Sequence, residues 1–191
     1  MEKLPINQIA EISTGFPFRS SINNVLGDEV KVIQAKDIKT GILVDLDNLI
    51  SVEDQNFQQR FYVKKDDVLL SARGIFHASV VCGEVENVIA SFSVYILRVA
   101  SKKVKPEYLA IFFNSMYGQK VLSERSIGAA IRTILRRHLE DMIITVPSLE
   151  KQQQIIDIYK NNQKQQIFLK QKAFLTDKIS QGAINKILNN K

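Results

Sequence analysis

Apolar and polar positions alternate in short, irregular runs through the first three quarters of the chain, and then the pattern changes. Leu4 to Ile12 places apolar residues at short uneven spacing, which predicts a turn or short helix leading into a strand. Thr14 to Ser21 contains Gly15 and Pro17 and reads as a loop. Val30 to Gln34 alternates like a strand, and a turn is expected at Gly41. Phe61-Tyr62-Val63, Val68 to Ser71, Ala78 to Cys82 and Val88 to Val99 are rich in β-branched and aromatic residues and predict further strands. Pro106 opens a run with helical spacing that predicts one helix to Leu122. Leu139, Ile143 and Ile144, with Val146, predict a last strand before Pro147.

From Ser148 onward the spacing is helical. Ser148 is placed as an N-cap, with Glu150 in the first turn. This stretch has one glycine, no proline and many Gln, Lys, Leu and Ile. A helix of this length extends roughly 60 Å and outruns the domain it follows. Its apolar stripe, including Ile155, Tyr159, Leu169, Ala173 and Ile187, needs a partner, most simply a second helix in a coiled coil. The polar run from Lys160 to Gln166 either fixes register at the seam or marks a break. The expected architecture is a mixed α/β (α+β) globular domain over residues 1–147, followed by a long helix over 148–191 for dimerisation and spacing.

The 191 residues, 45% hydrophobic, suffice for one packed domain plus an appendage. A single cysteine excludes a disulfide within these residues and a multi-cysteine metal site. Cys82, in an apolar run, is expected in the core. No run is long enough to span a membrane and the first residues lack a signal pattern, so the cytoplasm is the expected location.

The net charge is +6, but its distribution carries more than its size. The last 44 residues hold eight lysines against three acids, a pattern typical of a solvated helix face. All eight arginines lie in the nearly neutral first 147 residues. Arginine suits bidentate contact with phosphates and guanine edges, so the arginines point to nucleic acid more than the lysine tail does.

Enzyme signatures are missing. The sequence has neither a phosphate-cradling Gly-x-x-x-x-Gly-Lys loop nor a Gly-x-Gly-x-x-Gly turn. His77 and His138 lack metal-ligand spacing. Asp66 and Asp67 would point to opposite faces of a strand, so Lys64 to Asp67 reads as a charged turn. No catalysis, metal or cofactor is expected.

Three segments together resemble the DNA-specificity subunits of type I restriction–modification systems. The first is Ile9-x-x-Ile12-x-x-Gly15-x-Pro17. The second is Lys65 to Gly74, similar to the family's Gly-Asp-(apolar)-Leu-(apolar)-Ser-x-x-Gly, with Asp66 where glycine is usual. The third runs from Tyr108 to Gln153 and ends in Ile144-Thr145-Val146-Pro147-Ser148-Leu149-Glu150-Lys151-Gln152. The chain departs from the family pattern at Val88 to Ser93, and it carries one domain and one helix where typical members carry two of each.

The resemblance implies a target-recognition domain on double-stranded DNA and a helix that sets a gap. It also implies methyltransferase subunits as partners, a restriction subunit in some assemblies, and a homodimer of the half-sized chain. A twofold dimer would read a palindromic split site. The expected DNA face comprises Phe16 to Ser21 with Arg19 and Ser20, Lys36 to Lys39, Arg73 to His77, and Arg125 to Arg137, where Arg125, Arg132, Arg136 and Arg137 are densest. Arg132 and Arg136, four apart, are expected on one helix face. Two other readings fit the same residues: a protein that pairs through its helix without reading DNA, and a silent specificity cassette.

Overall fold

The computed structural model describes residues 1–19, 22, 30–39, 46 and 48–189. The turn expected at Gly41 and the site residue Ser20 lie outside the described residues. The chain divides into two compact units, Met1–Ile156 and Asp157–Lys191.

The first unit begins with β1 (Glu2–Pro5), a 3-10 turn over Ile6–Gln8, and β2 (Ala10–Thr14). Two sheets follow from β3 (Val30–Ile33), β4 (Ile50–Val52), β5 (Val68–Ser71), β6 (Ala78–Val80), β7 (Val88–Ala90) and β8 (Val94–Val99). One sheet is antiparallel with order β2-β8-β5-β6. The other has order β4-β3-β7, and β3 pairs β7 in parallel.

Strand β5 is buried along its whole length, which explains its unbroken apolar run. Leu69 turns toward Ile33, Ile38, Val81, Val88 and Ala90, between the sheets. Val68 and Leu70 point the other way by the strand's alternation, and α1 (Pro106–Asn114) covers that face of β5 and β6.

Four sequence expectations are corrected here. Phe61 ends a 3-10 turn over Gln59–Phe61, and Tyr62 makes only one bridge, to Ile89. The run from Val88 to Val99 is two strands in different sheets, turned at Ser91 to Ser93. Pro106 to Leu122 is two helices, α1 and α2 (Met116–Arg125). Ser115 stops α1: its hydroxyl donates to Phe112 O at 2.6 Å and accepts from the Gly118 N–H at 3.0 Å, capping α2. Gly118 is obligatory at this corner, because a Cβ there would lie 2.0 Å from Phe112 O. Finally, Cys82 is exposed: Val81 takes the last core position, and the chain turns away at Gly83 with φ +79°.

After α2 come the short β9 (Ser126–Ile127) and β10 (Thr133–Ile134), which pair as a hairpin. Then α3 (Arg136–Glu140), which takes Leu139 out of the expected last strand, leads to β11 (Ile143–Val146), which pairs antiparallel with β1. The single long helix α4 spans Leu149–Asn189, unbroken by the polar run at 160–166.

The family-like motifs have clear structural jobs. Asp66 has φ +66°, a left-handed backbone that glycine takes without strain and aspartate tolerates better than most residues. Gly15 meets Ala90 O and Ser91 O, each 2.3 Å from where a Cβ would be, so β2 can approach β7 only at a glycine. Gln152 is fully buried in the first turns of α4. Its amide donates to Lys103 O at 2.7 Å and Pro147 O at 2.9 Å, and its oxygen accepts from Lys105 N–H at 2.9 Å. Three hydrogen bonds from one buried amide fix the start of α4 on the domain.

Further along α4, Ile155, Tyr159, Asn162, Gln166, Leu169, Ala173 and Thr176 recur at alternating steps of four and three. After two successive steps of four, through Ser180, the series continues at Ile184 and Ile187. Such spacing keeps all of them on one narrow face. Leu169, Ala173, Ile184 and Ile187 are exposed along it. Phe168, Leu175 and Ile179 are also exposed and fall on the opposite side.

Candidate nucleic-acid interface

The candidate interface is built from loops that the sheet ends present together. Strand β5 ends at Ser71, and the chain loops through Arg73, Gly74 and Ile75 to His77 before re-entering β6. Ser71 locks this loop: its hydroxyl accepts from the His77 N–H at 2.8 Å and donates to Ile75 O. The hairpin β9–β10 is zipped to the same loop. Gly74 N–H donates to Arg132 O at 2.8 Å, Ile134 N–H donates to Ala72 O at 3.1 Å, and Arg73 bridges Thr133. The Tyr95 hydroxyl fastens the underside by donating to Ile134 O at 2.9 Å. Burial raises the Tyr95 pKa, while the guanidiniums of Arg136 and Arg73 pull it down, so both cations lie close to this one hydroxyl.

Two adjoining depressions open here. Lys36, Lys39, Arg73, Ile75 and His77 line one of about 550 Å³. Phe16, Gln55, Asn56, Gln58, Arg60, Phe92 and Arg136 are among the residues lining another of about 590 Å³. Arg73 connects them, because its guanidinium lies 4.3 Å from the centroid of the Phe92 ring. Cation–π contact holds a flexible side chain over an aromatic platform while its charge stays in water. A floor of Phe16, Phe57 and Phe61 supports the second depression, with Phe16 ring centroids 4.9 and 5.3 Å from the other two.

The expected site residues fall into three groups. Lys36, Arg73, His77 and Arg136 come together around the two depressions, and the Arg132 backbone is bonded to the same loop. Arg132 and Arg136 do not share a helix face: Arg132 precedes β10 in the hairpin, whose turn uses Gly128 at φ +97°, and only Arg136 is helical. Arg137 is exposed on α3. Arg125 is half-buried, and its carbonyl accepts from the His138 ring Nδ1–H at 2.8 Å, so His138 is structural. Arg19 is exposed beyond Phe18, whose ring lies 4.9 Å from Phe16.

Charge is distributed unequally among these groups. Arg136 Nε donates to Glu140 Oε1 at 2.7 Å, an exposed pair that leaves the rest of the guanidinium available. His77 is half-buried, and burial lowers its pKa, so its ring is neutral near pH 7. Arg98 plays a different part. It holds the fully buried Asp67 through two hydrogen bonds of 2.9 and 2.7 Å, and that side-chain contact raises its pKa.

Arg60 and Phe92 lie outside the segments expected from sequence. Arg60 has no basic neighbours in the chain. Phe92 gave one slight signal, a lone aromatic between two serines. Ile75 and Ile131 lie within the expected segments Arg73 to His77 and Arg125 to Arg137, and both are exposed. No cluster of His, Cys, Asp or Glu able to hold a metal exists among the described residues. No helix among them is long and apolar enough to cross a membrane.

Three comparisons place this architecture. An Escherichia coli protein, the type I restriction enzyme EcoBI specificity subunit, is 21% identical over 156 residues, covering 81% of this chain and 31% of that protein. A chain from a structure describing assembly and conformational transition of the type I R-M system superposes with a TM-score of 0.67 over 92% of this chain and 41% of its own, at 19% identity. The HsdS subunit from Thermoanaerobacter tengcongensis superposes with a TM-score of 0.61, 20% identity, over 89% of this chain and 39% of its own. The chain thus spans 31–41% of the length of these relatives, and the structural likeness establishes the fold. The profile of the type I restriction modification DNA specificity domain matches residues 1–176, and the chain belongs to that family.

Proposed function

We propose that residues 1–147 read one half-site of a split DNA target and that the helix over 148–191 pairs and spaces two such domains. The observation that supports this reading is the convergence of Lys36, Lys39, Arg73 and Arg136 on two adjoining depressions, on loops locked by backbone hydrogen bonds. Cations on rigid loops contact phosphates without a large ordering cost, and groups between them meet base edges.

The narrow face of α4 fits a second copy of the chain. Asn162 and Gln166 are polar members of that face, and such residues specify register in a coiled coil. In a twofold homodimer each domain reads the same half-site, so the target is palindromic with a fixed gap. Phe168, Leu175 and Ile179 on the opposite side of α4 fit helices of methyltransferase subunits, which the pair recruits. A restriction subunit joins by way of those subunits where the system cleaves.

The test is a long-read map of methylated adenines in the host, with and without the gene. Loss of one palindromic split motif on deletion is the expected result. Loss of an asymmetric motif would keep the reading role and require a different second domain. An unchanged map would overturn DNA reading and leave a protein that acts through its helix alone.

A further inference from the structure

Ile75 and Ile131 are 70% and 65% exposed, at the tips of two loops. Neither tip is loose. The Ser71 hydroxyl ties both ends of the Ile75 loop, and Gly74 N–H bonds across to Arg132 O, beside Ile131. The Ile131 carbonyl packs where a Cβ on Gly128 would lie, 2.5 Å away, so the second tip is shaped around that glycine. The framework therefore holds two branched apolar side chains out in water at a fixed place. Large apolar groups held exposed mark contact surfaces rather than packing defects.

Their surroundings select the partner. Lys36, Lys39 and Arg73 line the same depression as Ile75, and Arg132 follows Ile131 in the chain. The tip is thus apolar at its point and cationic at its collar. A partner complementary to it carries negative charge on its rims and small apolar groups between them. Double-stranded DNA does so in the major groove, where phosphates flank the C5-methyl groups of thymine. The tips of two short loops also suit a groove better than a membrane surface, which an amphipathic helix would match.

We infer that Ile75 and Ile131 form an apolar reading tip that recognises thymine methyl groups in the half-site, while the surrounding cations hold the phosphates. This rests on the DNA-reading role proposed above and assigns specificity to two residues with no polar groups to offer. Both side chains are exposed, so serine at either position leaves the core intact.

The test starts from the methylated-adenine map of the host carrying the full chain, compared with hosts carrying Ile75→Ser, Ile131→Ser or both. The expected result is a motif that stays methylated but becomes degenerate at one or two thymine positions. Duplexes bearing the wild-type motif, with thymine or uracil at those positions, then isolate the methyl group. The wild-type chain should bind the uracil duplex about three- to tenfold more weakly, and the double variant should bind both alike. An unchanged motif in the variants, or equal wild-type binding to the two duplexes, would overturn the inference. A motif kept intact while methyltransferase subunits are lost on purification would move the tip to protein contact and overturn it equally. If the wild-type gene contributes no motif, the DNA-reading role fails first, and the inference falls with it.

Discussion

Two corners of this domain use the same side chain for opposite ends. At Arg98, a guanidinium grips a carboxylate that is 1% exposed, and both charges serve the fold. At Arg73, the guanidinium lies on Phe92 and its charge has no carboxylate to neutralise it within ion-pair reach among the described residues. The first arginine is placed by what it must satisfy, the second by what it can offer. A guanidinium half-committed to a partner is intermediate, and Arg136 with Glu140 is that case.

The difference can be broken first at Asp67. Asp67→Ala leaves the Arg98 charge unpaired and also removes the acceptor for the Lys64 N–H at 2.8 Å. The loss removes charge-assisted hydrogen bonds but leaves the 37% exposed Arg98 side chain partly in water, so it costs about 2 kcal/mol, lowering Tm by roughly 4–8 °C in a protein of this size. Calorimetry or thermal circular dichroism reads this, and an unchanged Tm would remove the structural role of the pair. Arg73→Ala is the opposite experiment. It should weaken DNA binding about tenfold, near 1.4 kcal/mol, with a shallower salt dependence and an unshifted Tm. Fluorescence anisotropy over a salt series measures both quantities, and a fallen Tm with unchanged affinity would place Arg73 with Arg98.

Arg136→Ala should give a smaller loss, about threefold, because Glu140 already takes part of its charge. Glu140→Gln sharpens the point, since freeing Arg136 should strengthen DNA binding slightly while Arg136→Ala weakens it. The smallest effect belongs to His77. Its pKa is lowered by burial, so the unfolded chain takes up a proton near its ordinary value while the folded chain does not. Stability should therefore be full above the ordinary histidine range and decline gently as pH falls toward the lowered folded value. His77→Gln should flatten that decline in urea titrations at a series of pH values.

The sequence made the strands legible where apolar runs were short and bounded, as at Val30–Ile33 and Val68–Ser71. It made α4 legible because helical spacing persisted without proline. Breaks decided by a single tertiary contact were not legible. Ser115 divides α1 from α2 because Gly118 lets the backbone come close to Phe112, and nothing in the spacing of apolar residues reports that approach. The interface followed the same rule. Clusters of arginine were visible along the chain, but Phe92 under Arg73 joins residues 19 positions apart. Arg132 and Arg136 were wrongly joined on a helix because their spacing carried no mark of the hairpin at Gly128. Cys82 lost its core place to its neighbour because a strand's last inward residue depends on where the turn begins.

Strand β6 has a consequence for the protein's life at high concentration. Among the described residues it is the outermost strand of its sheet, and an outer strand normally shows unpaired backbone groups that invite another chain to add on. Here the Asn114 side chain imitates that missing strand: its oxygen accepts from Ala78 N–H at 3.0 Å, and its amide donates to Ala78 O at 2.7 Å. Both backbone groups of Ala78 are thus taken by a side chain, so a second chain cannot pair with β6 at that residue while Asn114 stays in place.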